Sequence, residues 1–360
     1  MINDSRGIEQ FKKQTFSGYK KSEVINVLFK CIDSKNIETA CNWLIECIIS
    51  GYAKEIWEKL CMYYFKTIHI NNIELLKYIN KSDKTVKNFL KQNDQLNLRN
   101  NQTILNLFVC CVVLFISSSI TVKHGDIKIK KEDFQLNNLQ NKLNSTMNIL
   151  PDEIVGINES PEIKLIANEI YFNLQSRLNN RDNIAYWIFW ILEWEKLNLK
   201  NKINWTINPR NVNVKKKYQT DIVWIIWDII IFESKKRTPS VKKNVDIIYN
   251  LYIQDFDKNK RNKRIDYIMM CISLLSCKTK SKNLIDDLSY LIQAQCNYHI
   301  IIESKKMYEK NDVKLETLTN KKVKNEKQNS KKQQIKLENE KTKNLLEEFN
   351  EIDRLLLQNV

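Results

Sequence analysis

Three polar residues in one short stretch have the types that could do chemistry together. Asp228, Glu233 and Lys235 follow an Asp-x4-Glu-x-Lys order, a set in which two carboxylates hold a magnesium ion beside a lysine for phosphodiester cleavage. That chemistry needs the three side chains on adjacent β-strands. Here Trp224, Trp227, Ile230 and Ile231 recur at helical spacing, and 233–237 reads as a helix end with cations near its negative pole. Glu303-Ser304-Lys305 repeats the pattern after another helical stretch. Nuclease activity is not expected. Asp221 and Asp228, on either side of Trp224, are expected to pair with lysines of a neighbouring helix in a structural role.

Other catalytic constellations fail on composition. The five glycines (Gly7, Gly18, Gly51, Gly125 and Gly156) are isolated, and no G-x-x-x-x-G-K-[ST] loop is present to cradle phosphates. The nine cysteines (31, 41, 47, 61, 110, 111, 271, 277 and 296) form no C-x-x-C pair, and His69, His124 and His299 have no ligand spacing relative to them. Most cysteines lie in apolar helical stretches, which reads as buried free thiols in a reducing compartment. His69 reads as a core histidine. No catalytic residue, cofactor or metal is therefore expected.

The stronger lead is charge. The 360 residues carry a net charge of +16, which favours polyanionic partners. Three basic clusters stand out as candidate nucleic-acid contacts: Arg210, Lys215, Lys216 and Lys217; Lys235, Lys236, Arg237, Lys242 and Lys243; and Lys258, Lys260, Arg261, Lys263 and Arg264. Helices of an antiparallel bundle alternate in direction, which places the second and third clusters at opposite ends of the helix between them. Only nine of the 58 basic residues are arginine, so sequence-specific duplex readout, which favours the arginine fork, is disfavoured. Abundant Lys, Asn and Ile is also what an AT-rich coding genome produces, and solvated loop charge is the competing reading.

The elements that must position these residues read as helices. Five glycines and four prolines are too few for the turns of a β-rich fold. Six of the eight tryptophans fall between Trp187 and Trp227, and the 187/190, 187/194 and 224/227 spacings put rings on one helical face. Helices are expected around 22–33, 37–49 (ended by Gly51), 56–68, a short one at 73–79, another at 82–92, and 103–120. Residues 104–122 are uncharged and long enough to span a bilayer, but Asn106 and three serines interrupt them, and a buried core helix is the expectation. Residues 123–160 form an irregular connector with a possible strand at 127–134 and a helix at 136–150. Helices resume at 161–178, 182–198, 218–236, 238–253 (Thr238 as N-cap, Pro239 in the first turn), 262–276 and 282–302.

The whole is an all-α multi-helix array: a flexible 1–14, a helical block 15–122, the connector 123–160 and a Trp-rich block 161–303. The two blocks are expected to share one core. Residues 304–344 form a Lys-rich linker or solvated helix. At 345–360 an amphipathic helix carries Leu345, Phe349, Ile352 and Leu356 on one stripe, widened by Leu346 and Leu355. Those six are candidate partner-docking residues.

Phe16-Ser17-Gly18-Tyr19-Lys20-Lys21, the run from Ile37 to Gly51 that includes Ala40-Cys41-Asn42-Trp43-Leu44-Ile45-Glu46-Cys47, and residues 184–195 and 219–237 together resemble an uncharacterised conserved protein family of giant nucleocytoplasmic large DNA viruses. The resemblance covers roughly residues 14–300 and leaves out the lysine tail. It implies a host-cytoplasmic virus factory, or the virion, as the location, and it brings no activity. A second, local resemblance covers about 40 residues: Ala40-Cys41-Asn42-Trp43-Leu44 followed by Ser50-Gly51 is similar to the helical domain after the ATPase core of clamp-loader-like AAA+ proteins. It implies an oligomerising or replisome-contacting module. The resulting expectation is a non-enzymatic interaction or scaffold protein of viral DNA replication, transcription or packaging. Its expected partners are viral or host proteins and the DNA or RNA backbone, with no membrane. A virion structural component docking through 345–356 is the alternative.

Overall fold

The computed structural model describes residues 2–277, apart from residues 3, 5, 121–126, 146–147, 157, 176–179, 204–206 and 212. Everything below lies within one compact unit, Ser5–Ile301. Among the described residues the unit is helical, with one isolated antiparallel bridge, Gln14 to Lys20, and no strand. The expected strand at 127–134 is instead extended chain and a 3-10 turn, Lys131–Phe134. The 136–150 helix shrinks to Leu136–Gln140.

The first half contains α1 (Lys21–Asp33), α2 (Ile37–Ile49), α3 (Ala53–Tyr63), α4 (Glu74–Gln92) and α5 (Gln102–Ile116). The Asn36 side chain caps α2 by accepting from the Thr39 N–H. Gly51, at φ +80°, takes the left-handed turn after it, where a Cβ would meet Ile8 and Leu96. Ahead of α1, Phe11 and Phe16 are buried, and the Tyr52 hydroxyl donates to the Gln14 carbonyl at 2.8 Å. The stretch read as flexible is therefore pinned at its last few residues.

Residues 73–79 and 82–92, expected as two helices, are one. Ser82 and Asp83 sit on the buried face of α4, and Asp83 accepts from Trp57 Nε1 at 3.0 Å. Helix α5 is the expected core helix. Ile104, Phe108, Cys111, Val112 and Phe115 are buried, and it packs on α1, α2 and α4. No helix among the described residues is long and apolar enough to cross a membrane.

The second half contains α6 (Pro161–Gln175), α7 (Arg181–Lys200), α8 (Val223–Ser234), α9 (Pro239–Ile253) and α10 (Ile265–Ser276). Trp187, Trp190, Trp224 and Trp227 are all buried. Trp224 and Trp227 form a ring cluster with Tyr252, Trp227 to Tyr252 at 5.0 Å and Trp224 to Phe256 at 4.7 Å. Helix α10 touches α7, α8 and α9, and also the π turn Tyr64–Ile68 that ends α3, where Phe65 stacks on Tyr267 at 3.6 Å. Helix α4 packs on α9. The two helical blocks share this core.

Side chains of the second half add to the turn hydrogen bonds that the irregular connector makes within itself. Glu169 accepts from the Asn144 N–H at 2.7 Å, and Asn168 accepts from those of Ile149 and Leu150 at 3.0 and 2.9 Å. Trp190 Nε1 donates to the Asp133 carbonyl at 2.9 Å.

Candidate nucleic-acid interface

Two of the candidate contacts are counterions within the fold, Arg261 buried and Arg210 half-buried. Arg261 is 3% exposed and bridges Asp221, at 2.8 Å, and Glu195. Burial opposes its charge, but the carboxylates of Asp221 and Glu195 outweigh that and push its pKa up. Lys258 adds a second cation to Glu195 at 2.9 Å. Arg210 binds Asp228 at 2.7 Å, Glu159 at 3.0 Å and the Ile154 carbonyl at 2.6 Å. Burial raises the Asp228 pKa and Arg210 pulls against that rise. Asp221 and Asp228 thus take the structural role expected of them, but with arginines in place of lysines. The fork reaches two carboxylates at once, which an ammonium does less well.

Three more candidates also bind within the protein. Arg237 meets Glu233 at 2.9 Å and the Leu174 carbonyl at 3.2 Å, and Lys236 lies over the Phe232 and Tyr171 rings. Arg264 donates to the Tyr252 and Gln254 carbonyls at 2.6 and 2.7 Å, closing the C-terminal end of α9. Asp228, Glu233 and Lys235 lie on α8 and its C-cap, with the two carboxylates bound to arginines.

Eight lysines remain as available charge: Lys215, Lys216, Lys217, Lys235, Lys242, Lys243 and Lys263 are exposed, and Lys260 is half-buried. The fold divides them. The Tyr218 hydroxyl donates to Asp257 at 3.1 Å, and its ring meets Phe256 at 5.7 Å. This draws 215–218, just before α8, against the segment after α9. The Asp257 carboxyl is held below its usual range by the Asn259 N–H first, then by the Tyr218 hydroxyl and the nearby Lys217 and Lys260. Lys215, Lys216, Lys217, Lys260 and Lys263 therefore gather at one end of the α8–α9 pair. Lys235, Lys242 and Lys243 lie at the other, beyond an α9 about 22 Å long at 1.5 Å per residue. The separation of the second and third clusters follows the antiparallel expectation.

Sequence reasoning missed that α4 supplies more charge to the first end. Lys87 donates to Gln254 and pairs with Asp83 at 2.8 Å, and exposed Lys84 lies one turn away. The four-residue spacing of Lys84 from Asn80 was visible, but the packing of α4 on α9 was not. The docking residues Leu345, Leu346, Phe349, Ile352, Leu355 and Leu356, the helix at 282–302, and His124, His299 and Cys296 lie outside the described residues.

His69 is buried, at φ +58° between the π turn and a 3-10 turn. Among the described residues no group of three His, Cys, Asp or Glu side chains is placed to hold a metal. Cys41, Cys47, Cys61, Cys111 and Cys271 are buried free thiols, and Cys31, Cys110 and Cys277 are half-buried. Burial, with Cys110 nearby, pushes the Cys41 thiol up to about 12 and raises Cys47, Cys111 and Cys271 as well. Burial raises the Cys31 and Cys110 thiols too, so it is the access of reagent to these half-buried sites, together with thiolate fraction, that separates the two groups. Native-state alkylation read by peptide mass spectrometry is expected to label Cys31 and Cys110 well before Cys41, Cys47, Cys111 or Cys271. Equal labelling would contradict the packing of α2 on α5.

Compared with protein-family models, curated protein sequences and solved structures, the chain matches none.

Proposed function

We propose that this chain is a helical interaction protein without catalytic turnover, which holds a nucleic-acid backbone on the lysine end of the α8–α9 pair. The observation that carries this reading is the sorting of the cations. The arginines of the clusters lie against carboxylates and carbonyls of the fold, while Lys215, Lys216, Lys217, Lys260 and Lys263 stay available and come together from two segments far apart in sequence. Lysines are point charges suited to phosphate and poorly suited to reading base pairs. The reading therefore has the protein holding nucleic acid without selecting a duplex sequence. On the resemblance to the giant-virus family alone, we extend this proposal to viral DNA replication, transcription or packaging in the host cytoplasm.

Phosphate contacts release counterions, so the logarithm of affinity falls linearly with that of salt, by about 0.7 per contact for single strands and about 0.9 for duplex. Five lysines give a slope of about −3.5 to −4.5. Fluorescence anisotropy between about 50 and 200 mM salt measures it. The Lys215→Ala/Lys216→Ala/Lys217→Ala variant is expected to flatten the slope by about 2 to 3. No binding at about 50 mM salt, or an unchanged slope in the variant, would defeat the reading.

A further inference from the structure

Beside this lysine end lies a groove of about 460 Å³ between α4 and α9. Asn80 and Lys84 line one wall at i, i+4 on α4. Ile247, Asn250 and Gln254 line the other at i, i+3 and i+7 on α9, and Asn213 closes the end nearest Lys215. The volume is within the range of small-molecule sites, about 300–1,000 Å³. Ile253 and the Asp255 carboxylate complete its lining, so four carboxamides stand beside one cation, Lys84, and one carboxylate. The carboxamides of Asn80, Asn213 and Asn250 make no hydrogen bond to other side chains or to backbone among the described residues.

A carboxamide offers a donor and an acceptor side by side, the complement of a nucleobase edge, and asparagine pairs with adenine through two such bonds. A base inside a duplex cannot enter a groove between two helices, whereas an unstacked base can be turned into one. Ile247 gives an apolar surface for its flat face. Lys215, Lys216 and Lys217 adjoin Asn213, so a strand whose phosphates follow the lysines would bring its bases over the carboxamides.

We infer that this groove is a subsite for an unpaired base of single-stranded nucleic acid, which makes the protein a single-strand binder. The inference rests on the phosphate-binding reading above and deepens it. The Asn213→Ala/Asn250→Ala variant alters two exposed side chains and should fold as the parent, checked by circular dichroism.

Anisotropy on the full chain would compare an adenine-rich DNA strand, the same strand as RNA, and the blunt duplex of equal length. The variant is expected to lose about tenfold in affinity for single strands, with the salt slope and duplex affinity unchanged. A loss on either the DNA or the RNA strand supports the subsite. Wild-type binding that is salt-sensitive but unaltered by the variant, or weakened equally on duplex and single strand, overturns the subsite and leaves the lysine surface standing. No binding to any of the three overturns both.

Discussion

Replacing Arg261 with alanine is expected to destabilise the fold by about 3–5 kcal/mol, because it leaves the carboxylates of a buried network without their shared counterion. Glu195 and Asp221 are 1% and 5% exposed, and they come from α7 and from the turn that starts α8. Asp221 also accepts from the Val223 N–H at 3.1 Å, which ties the network to the start of α8. Lys258 reaches only Glu195, and Asp221 would have no cation left within the network. Arg261→Lys should recover part of the loss, since one ammonium cannot span both carboxylates as the fork does. Urea unfolding of the full chain at neutral pH measures all of this. A loss below about 1 kcal/mol in Arg261→Ala would mean that the carboxylates are hydrated rather than buried. The network also ties the 258–263 segment to the bundle, so the same variant should weaken the proposed nucleic-acid binding although Arg261 is itself buried.

Trp227→Ala is expected to cost about 3–5 kcal/mol by a different route, the loss of a large buried ring and the cavity it leaves. Trp227 is 1% exposed and packs on Tyr249 at 5.2 Å and Tyr252 at 5.0 Å across the α8–α9 contact. Those two helices set the distance between the lysine ends, so relaxation around the cavity should also blur the basic surface. Leu199→Ala provides the contrast. Leu199 is 54% exposed at the end of α7, and its removal should change stability by no more than about 0.5 kcal/mol. Thermal unfolding of the two variants side by side tests the pair. Equal losses would contradict the placement of the tryptophans at the centre of the second half.

The parts of this fold that were legible in sequence are those set by local spacing. Helix α2 could be bounded because its apolar positions and Gly51 lie within one short stretch, although its Asn36 cap went unread. The tryptophan helices were legible for the same reason. What stayed hidden depends on partners far away in the chain. Ser82 and Asp83 look like a helix break until Trp57 supplies a donor for the carboxylate. The connector looks like a helix at 136–150 until Glu169 and Asn168 satisfy its backbone from α6.

The candidate site was legible in the same uneven way. The three basic clusters were visible, but not which cations stay available. One signal could have shown it. In a chain where lysine outnumbers arginine so heavily, an arginine marks a position where the planar fork is needed. Arg210, Arg237, Arg261 and Arg264 each bind two or more groups of the fold, and Arg6 and Arg99 lie against the Phe11 ring. The carboxamide groove had no such signal, because its two walls come from helices more than 150 residues apart.

Lysine footprinting with and without nucleic acid tests the proposed binding surface most directly. The full chain would be reductively methylated with and without a saturating single strand at low salt, and each lysine read by peptide mass spectrometry. Protection is expected at Lys215, Lys216, Lys217, Lys260 and Lys263, with Lys84 following, while Lys235, Lys242 and Lys243 react as in the free protein. Protection of those last three to the same degree, or none at the first five, would mean that the charge is a uniform coat and that the fold builds no binding end.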